Sequence, residues 1–286
     1  MLAHLPVDTS WTFDPLQVVP TLLLAVLYVR RVRTLRGRGT AVPGWRVGLF
    51  ATGIVLLLAA LVSPLHALGE QLFSFHMLQH VLLGDLAPLA LLAGLTGPIL
   101  RPALAFLHRL RFLAHPLVAL PLWALDLYAW HLPYLYDAAV RHSSVHALEH
   151  LCFFTGGVIM WLPVLETLPA PEWFGTGAKL GYIAVVRAVE TVLGNIFFWA
   201  GATFYPVYEH RQRLWGRLSP LADQGLAGAV MMIEGSIVTL VALAWLFLRM
   251  AGEGELRQRL LERGLDPRTV RRAVRYGRAE ELGPPR

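Results

Sequence analysis

The 286-residue chain is 56% apolar and only 15% charged, with a mean hydropathy of +0.53, which excludes an ordinary soluble domain. Its net charge of +6 is carried almost wholly by arginine, and its one cysteine, Cys152, excludes an internal disulfide and any CxxC metal or redox motif. The polar start from Met1 to Asp14 lacks the basic region and apolar core of a cleavable signal peptide, so none is expected.

Apolar runs at 16–31, 46–63, 77–97, 115–131, 148–165, 180–204 and 226–249 are separated by charged turns and Pro/Gly breaks. A bilayer crossing takes roughly 20 apolar residues, so the pattern predicts an all-α polytopic membrane protein with seven transmembrane helices. The first run is short and has a surface-lying alternative, but Asp14 and Pro15 open it with a capping residue and a proline at the first helical position. Residues 1–251 form the expected transmembrane domain and 252–286 a basic, helical tail. In that tail Leu256, Leu260 and Leu261 line one face before Gly264, and a second short helix is expected from Asp266 and Pro267. The tail reads as a basic hairpin resting on anionic lipid, without chemistry of its own.

Arginine placement gives the orientation, because short cytoplasmic loops retain positive charge. The first loop carries Arg30, Arg31, Arg33, Arg36, Arg38 and Arg46, the third Arg101, Arg109 and Arg111, and the tail is Arg-rich again. The N-terminus is therefore expected outside and the C-terminus in the cytoplasm, although Arg211, Arg213 and Arg217 oppose this from the loop before the last span. The basic balance thus reports topology and a lipid bilayer, not a nucleic-acid partner.

On this topology His66, His76, His80, His131, His142, His146, His150 and His210 join His4 at the outer surface, while His108 and His115 face the cytoplasm. Imidazole in or beside hydrocarbon is costly and needs a proton, metal or cofactor partner. His76, Met77 and His80 share a helical face, a soft set suited to copper(I). If the fifth helix starts by His142, then His142, His146, Glu149 and His150 fall on one arc, continued by Phe153, Gly156 or Gly157, and Met160. Small residues there allow a neighbouring helix to come close. Cys152 points away from that face. The bland alternative is interfacial imidazoles bonded to headgroups or water, and it is the reading for His4, His66 and His210. His146 to His150 also fits the H-x-x-E-H pattern of inverted zinc peptidases, a five-residue signal with no downstream third ligand.

Asp85, Asp126, Glu190 and Glu234 mark a polar interior within the spans. Asp85 does not share the face of His76 and His80 and is expected against another helix, Asp126 is placed to orient the His131 ring, and Arg187 can pair with Glu190. Trp123, Trp130, Tyr134 and Tyr136 read as an interfacial aromatic belt, and Met231 and Met232 as packing residues with a soft-ligand alternative.

The stretch Phe75-His76-Met77-Leu78-Gln79-His80 with Ala87-Pro88, then Trp130-His131-Leu132-Pro133 with Tyr136-Asp137, then His146-Ala147-Leu148-Glu149-His150, resembles the CtaG-type cytochrome c oxidase assembly family. Tyr205-Pro206-Val207-Tyr208 and Ala222-Asp223-Gln224 with Ala227-Gly228 fit the same pattern, so the resemblance runs from about the second span to the seventh. It implies a multi-pass protein of the bacterial plasma membrane that helps build a haem-copper terminal oxidase and supplies copper to one of its subunits. The family's histidine motifs fall on His76, His80, His131, His146 and His150. The family pattern follows the methionine of the last span with Trp and later Pro, where this chain has Met232 and Glu234, and the Arg-rich tail lies outside it.

The resulting expectation is a non-enzymatic assembly factor that binds copper, as Cu(I), through His76, Met77, His80, His131, His146, Glu149 and His150. The alternatives are a haem b electron carrier with two histidine ligands and, more distantly, an intramembrane zinc peptidase.

Overall fold

A computed structural model describes residues 8–209, 218–275, 277 and 279–282. His4, His210, Arg211, Arg213 and Arg217 lie outside the described residues. Helix makes up 82% of the described residues and no strand occurs among them, as the all-α expectation requires. Among the described residues six helices are long and apolar enough to cross a membrane: α1 (Pro15–Gly37), α2 (Gly44–Val62), α3 (Phe73–Gly94), α5 (Ser143–Leu165), α6 (Thr176–Trp199) and α7 (Pro220–Glu262). Between α3 and α5 stands α4 (Pro116–Trp130), whose 15 residues are bounded by Pro116 and, just past its end, Pro133. At 1.5 Å per residue it is about 22 Å long, short of a hydrocarbon core of about 30 Å.

The first helix is longer than the apolar run suggested, 23 residues. Asp14 caps it by accepting from the Leu16 amide at 2.9 Å, Pro15 occupies its first turn, and the helix continues through the arginines after Val29. Its flank carrying Leu16, Val19, Leu23 and Leu27 is exposed, as a lipid-facing surface is.

The chain divides into two compact units. The first comprises 1–170 and 188–235 and contains α1 to α5 with parts of α6 and α7. Its centre is the crossing of α3 on α5, where Gly156 and Gly157 supply the close approach expected of small residues. A Cβ on Gly157 would collide with the Gly84 carbonyl oxygen, and one on Gly156 would stand 2.6 Å from Asp126 Oδ2 on α4. At this point α3 widens into a π-turn, Leu82–Leu86, so Asp85 is carried round to accept from Trp161 Nε1 of α5 at 2.6 Å. That is the interhelical partner expected for Asp85.

Both ends of α3 are tied down from elsewhere. Its N-cap Leu72 offers no side-chain cap, and Asp223 of α7 supplies one, accepting from the Phe73 amide at 2.8 Å, the Ser74 amide at 3.2 Å and Ser74 Oγ at 2.6 Å. At the far end Arg46 donates to the Ala93 and Leu95 carbonyls at 3.0 and 2.8 Å, Tyr28 Oη to the Gly94 carbonyl at 3.1 Å and Arg31 to the Pro98 carbonyl at 2.7 Å.

The second unit comprises 171–187 and 236–286. Helix α7 runs unbroken to Glu262, and a short helix, Pro267–Arg275, starts where Asp266 and Pro267 indicated. Asp266 caps it through the Thr269 amide at 2.9 Å, which holds the exposed carboxyl below its ordinary pKa.

Candidate metal centre

The first turns of α3 carry His76 and His80, and those of α5 carry His146, Glu149 and His150. Steps of three and four residues stack these side chains along one face of each helix. Ring centroids are 4.2 Å apart for His76 and His80 and 4.1 Å for His146 and His150. The glycine crossing presses the two faces together, so His76 lies nearly parallel to His146 at 5.2 Å and His80 meets His150 edge-on at 6.0 Å. Glu149, fully buried, sits among them, its Oε2 3.5 Å from His76 Nε2, 3.6 Å from His80 Nε2 and 4.0 Å from His146 Nε2.

Buried polar atoms in folded proteins nearly always have a hydrogen-bond partner, since leaving one unmade costs about 1–3 kcal/mol. Here both ring nitrogens of His76 and of His80, the Nε2 atoms of His146 and His150, and both oxygens of Glu149 are buried with none. Ligand atoms of His76, His80 and Glu149 lie within 4.8 Å of one another. Imidazole and carboxylate atoms at that spacing could serve as donors to a single metal ion.

A second layer holds these rings in place. Gln79 donates to the Ala60 carbonyl at 2.8 Å and meets His66 Nδ1 at 3.1 Å. His66 is buried and stacks on His146 at 5.3 Å, which corrects its reading as a surface residue, and burial pushes its pKa down against the pull of Glu70. It sits in the short helix Pro64–Gly69, and nothing in its sequence neighbourhood signals a core position. Gln17 of α1 meets His150 Nδ1 at 3.1 Å, a partner no motif marked. An apolar groove of about 520 Å³ between α1 and α5 leads to this pair.

The aromatic belt needs correction as well. Tyr134 is 84% exposed, as a belt residue should be, but Trp123 and Trp130 are buried and Tyr136 is fully enclosed. The Tyr136 ring covers His76 at 5.0 Å and its hydroxyl pairs with that of Tyr208 at 2.8 Å, which in turn donates to the Gly69 carbonyl at 3.1 Å. Burial holds the Tyr136 pKa well above its ordinary value, so the hydroxyl keeps its proton. Belt residues and site-covering aromatics occupy the same helix ends in a sequence, and only packing separates them.

His131 and Met77 are buried beside this group and contact each other, with Nε2 3.4 Å from Sδ. The His131 ring is oriented by the Leu127 carbonyl, which accepts from Nδ1 at 2.6 Å, and not by Asp126. His142 is exposed at the start of α5 and does not join the cluster, because the helix begins one residue later than that reading required. Cys152 remains a free thiol outside the group. Asp85, Asp126, Glu190 and Glu234 line a common cavity with Met77, His80 and His131.

The family model for the cytochrome c oxidase caa3 assembly factor, Caa3_CtaG, matches residues 26–253. This chain belongs to that family. Among curated relatives, uncharacterized protein Mb0105 of Mycobacterium bovis is 26% identical over 240 residues, 78% of this chain and 36% of that protein. Uncharacterized protein ML1998 of Mycobacterium leprae is 24% identical over 263 residues, 85% of this chain and 40% of that protein. The chain therefore spans well under half the length of the curated relatives it matches. No solved structure matches it. The Caa3_CtaG match takes in every histidine of the cluster, Glu149, Tyr136, and the Asp223 that caps α3, but not Gln17. Residues that carried the resemblance thus do two jobs. His76, His80 and Glu149 bring potential ligand atoms together, with His146 4.0 Å from Glu149, while Asp223, Tyr205 and Tyr208 hold the frame, Tyr205 by donating to the His131 carbonyl at 2.7 Å.

Proposed function

We propose that this assembly factor carries copper, as Cu(I), at the His76, His80, His146 and Glu149 centre and passes it to a haem-copper oxidase subunit, without turning over a substrate. The observation that carries the reading is the set of buried, unpartnered imidazole and carboxylate atoms converging on one point. His150 and His131 stand next to that point and offer further ligands during exchange, a process that needs donors able to leave one at a time.

The topology that goes with it has seven crossings, the short α4 included, in the bacterial plasma membrane, with the N-terminus outside and the C-terminus inside. The end of α3 bearing Arg31 and Arg46 contacts then faces the cytoplasm, in line with the positive-inside rule, and the histidines stand at the outer side. The groove between α1 and α5 gives a partner in the bilayer a lateral approach to His150.

The packing favours an ion over the alternatives. A porphyrin ligated by two of these rings would need its macrocycle where the other rings stand, 4 to 6 Å away. A zinc peptidase would need Glu149 free to activate water, and here it is fully buried among three imidazoles.

Metal analysis of the purified protein beside a His76→Ala/His80→Ala double variant tests the reading. Near-stoichiometric copper in the wild type, lost in the variant, is expected. A Soret band, or zinc with a proteolytic activity that Glu149→Ala abolishes, would replace copper delivery with one of the alternatives. In cells deleted for the chain, a terminal oxidase assembled with full copper would overturn the role.

A further inference from the structure

The seven residues expected to form one copper set do not meet at one point. Glu149 gathers His76, His80 and His146, while Met77 and His131 face each other on the far side of His80, whose ring is 6.3 Å from that of His131. The contact between Met77 and His131 brings two potential metal-ligand atoms side by side. The Leu127 carbonyl can only accept, so the hydrogen on His131 is at Nδ1, donated at 2.6 Å. In the neutral ring Nε2 then carries a lone pair, and so does a thioether sulfur. Two lone-pair donors thus stand 3.4 Å apart with no hydrogen between them.

That separation has a simple interpretation. A tetrahedral ion with nitrogen at about 2.0 Å and sulfur at about 2.3 Å holds the two donor atoms about 3.5 Å from each other. The pair opens on a cavity of about 50 Å³, enough for an ion, and Met231 of α7 lines the same space with a second thioether. His80 reaches this cavity as well as Glu149, and both its ring nitrogens lack hydrogen bonds. Carboxyl groups of Asp85, Asp126, Glu190 and Glu234 line the same space and offer oxygen atoms to it.

We infer that His131, Met77 and Met231 form a second, sulfur-bearing Cu(I) position, separate from the imidazole and carboxylate centre and joined to it through His80. This rests on the copper reading above and divides it into two stations. Thioethers select Cu(I) over zinc or Cu(II), whereas the Glu149 centre accepts harder ions, so the inner position supplies the metal selectivity that the outer one lacks. Transfer between them exchanges ligands on Cu(I) without a change of oxidation state, and His80 stays within reach of both.

The test is anaerobic Cu(I) loading of the purified full chain, with copper counted per chain and its ligands read by X-ray absorption. The wild type is expected to hold two coppers and to show a sulfur shell. Met77→Leu, close in volume, should lose one copper and the sulfur shell, and Met231→Leu should weaken the same copper at least tenfold. His146→Ala should lose the other copper and keep the sulfur shell. Circular dichroism of each variant confirms folding, and Met231→Leu stands in should Met77→Leu fail to fold. A single copper with only nitrogen and oxygen neighbours, unaltered by either methionine variant, would overturn the second position and leave copper binding at Glu149 intact. Loss of all copper together with the sulfur shell in His146→Ala would mean one joint site and would also overturn it. A wild type that binds no copper would end both readings.

Discussion

The two ends of α3 both receive polar groups from other helices and finish in opposite states. At one end Arg46 and Tyr28 satisfy the closing carbonyls of Ala93, Gly94 and Leu95. At the other, Asp223 satisfies the opening amides, yet one turn further on His76, His80 and their neighbour Glu149 keep eight buried polar atoms without hydrogen bonds once His146 and His150 are counted. A chain able to cap a helix from a residue on another span has not left the histidine atoms bare through poor packing. On the copper reading proposed above, their lone pairs are kept for the ion, at a cost to the stability of the metal-free state.

Changes at the two ends should therefore behave differently. Gly157→Val, which drives a side chain into the Gly84 carbonyl, should have the largest effect, a loss of about 3 kcal/mol with copper binding lost as the helices part. It is read by chemical unfolding in mild detergent together with metal content. Asp223→Ala removes the cap of α3 and should cost about 2 kcal/mol while weakening copper, and Asp223→Asn should recover part of both. Glu149→Leu sharpens the contrast most, because the sign reverses. With the buried charge gone, the metal-free protein should become more stable by about 1 to 2 kcal/mol although it no longer retains copper. A destabilised Glu149→Leu protein would mean that the carboxylate is structural. Arg46→Met at the satisfied end should cost about 1 kcal/mol and leave copper stoichiometry unchanged.

Much of this was legible in the chain. Hydropathy located the helices, Asp14 with Pro15 and Asp266 with Pro267 located two of their starts, and helical spacing brought His76 to His80 and His146 to Glu149 and His150. The paired glycines marked the crossing. Other features depended on contacts across helices. His66 is a lone histidine in a six-residue helix and joins the cluster only because Pro64–Gly69 folds against α3. Tyr136 has the position of a belt residue and the burial of a core one. Met77 follows His76 directly in sequence, and one step along a helix turns a side chain by about 100°, so it meets His131 and not Glu149.

The hydrogen bond from the Phe73 amide to Asp223 spans 150 positions of sequence. During synthesis the N-terminal helices are made first, so α3 enters the membrane long before the residue that closes its first turn exists. Both histidine pairs are present by the end of α5, but the helix carrying one of them is finished only when α7 arrives. If the cluster binds metal as proposed, that competence waits for α7, and a chain ending before it would carry the histidines without the frame that aims them.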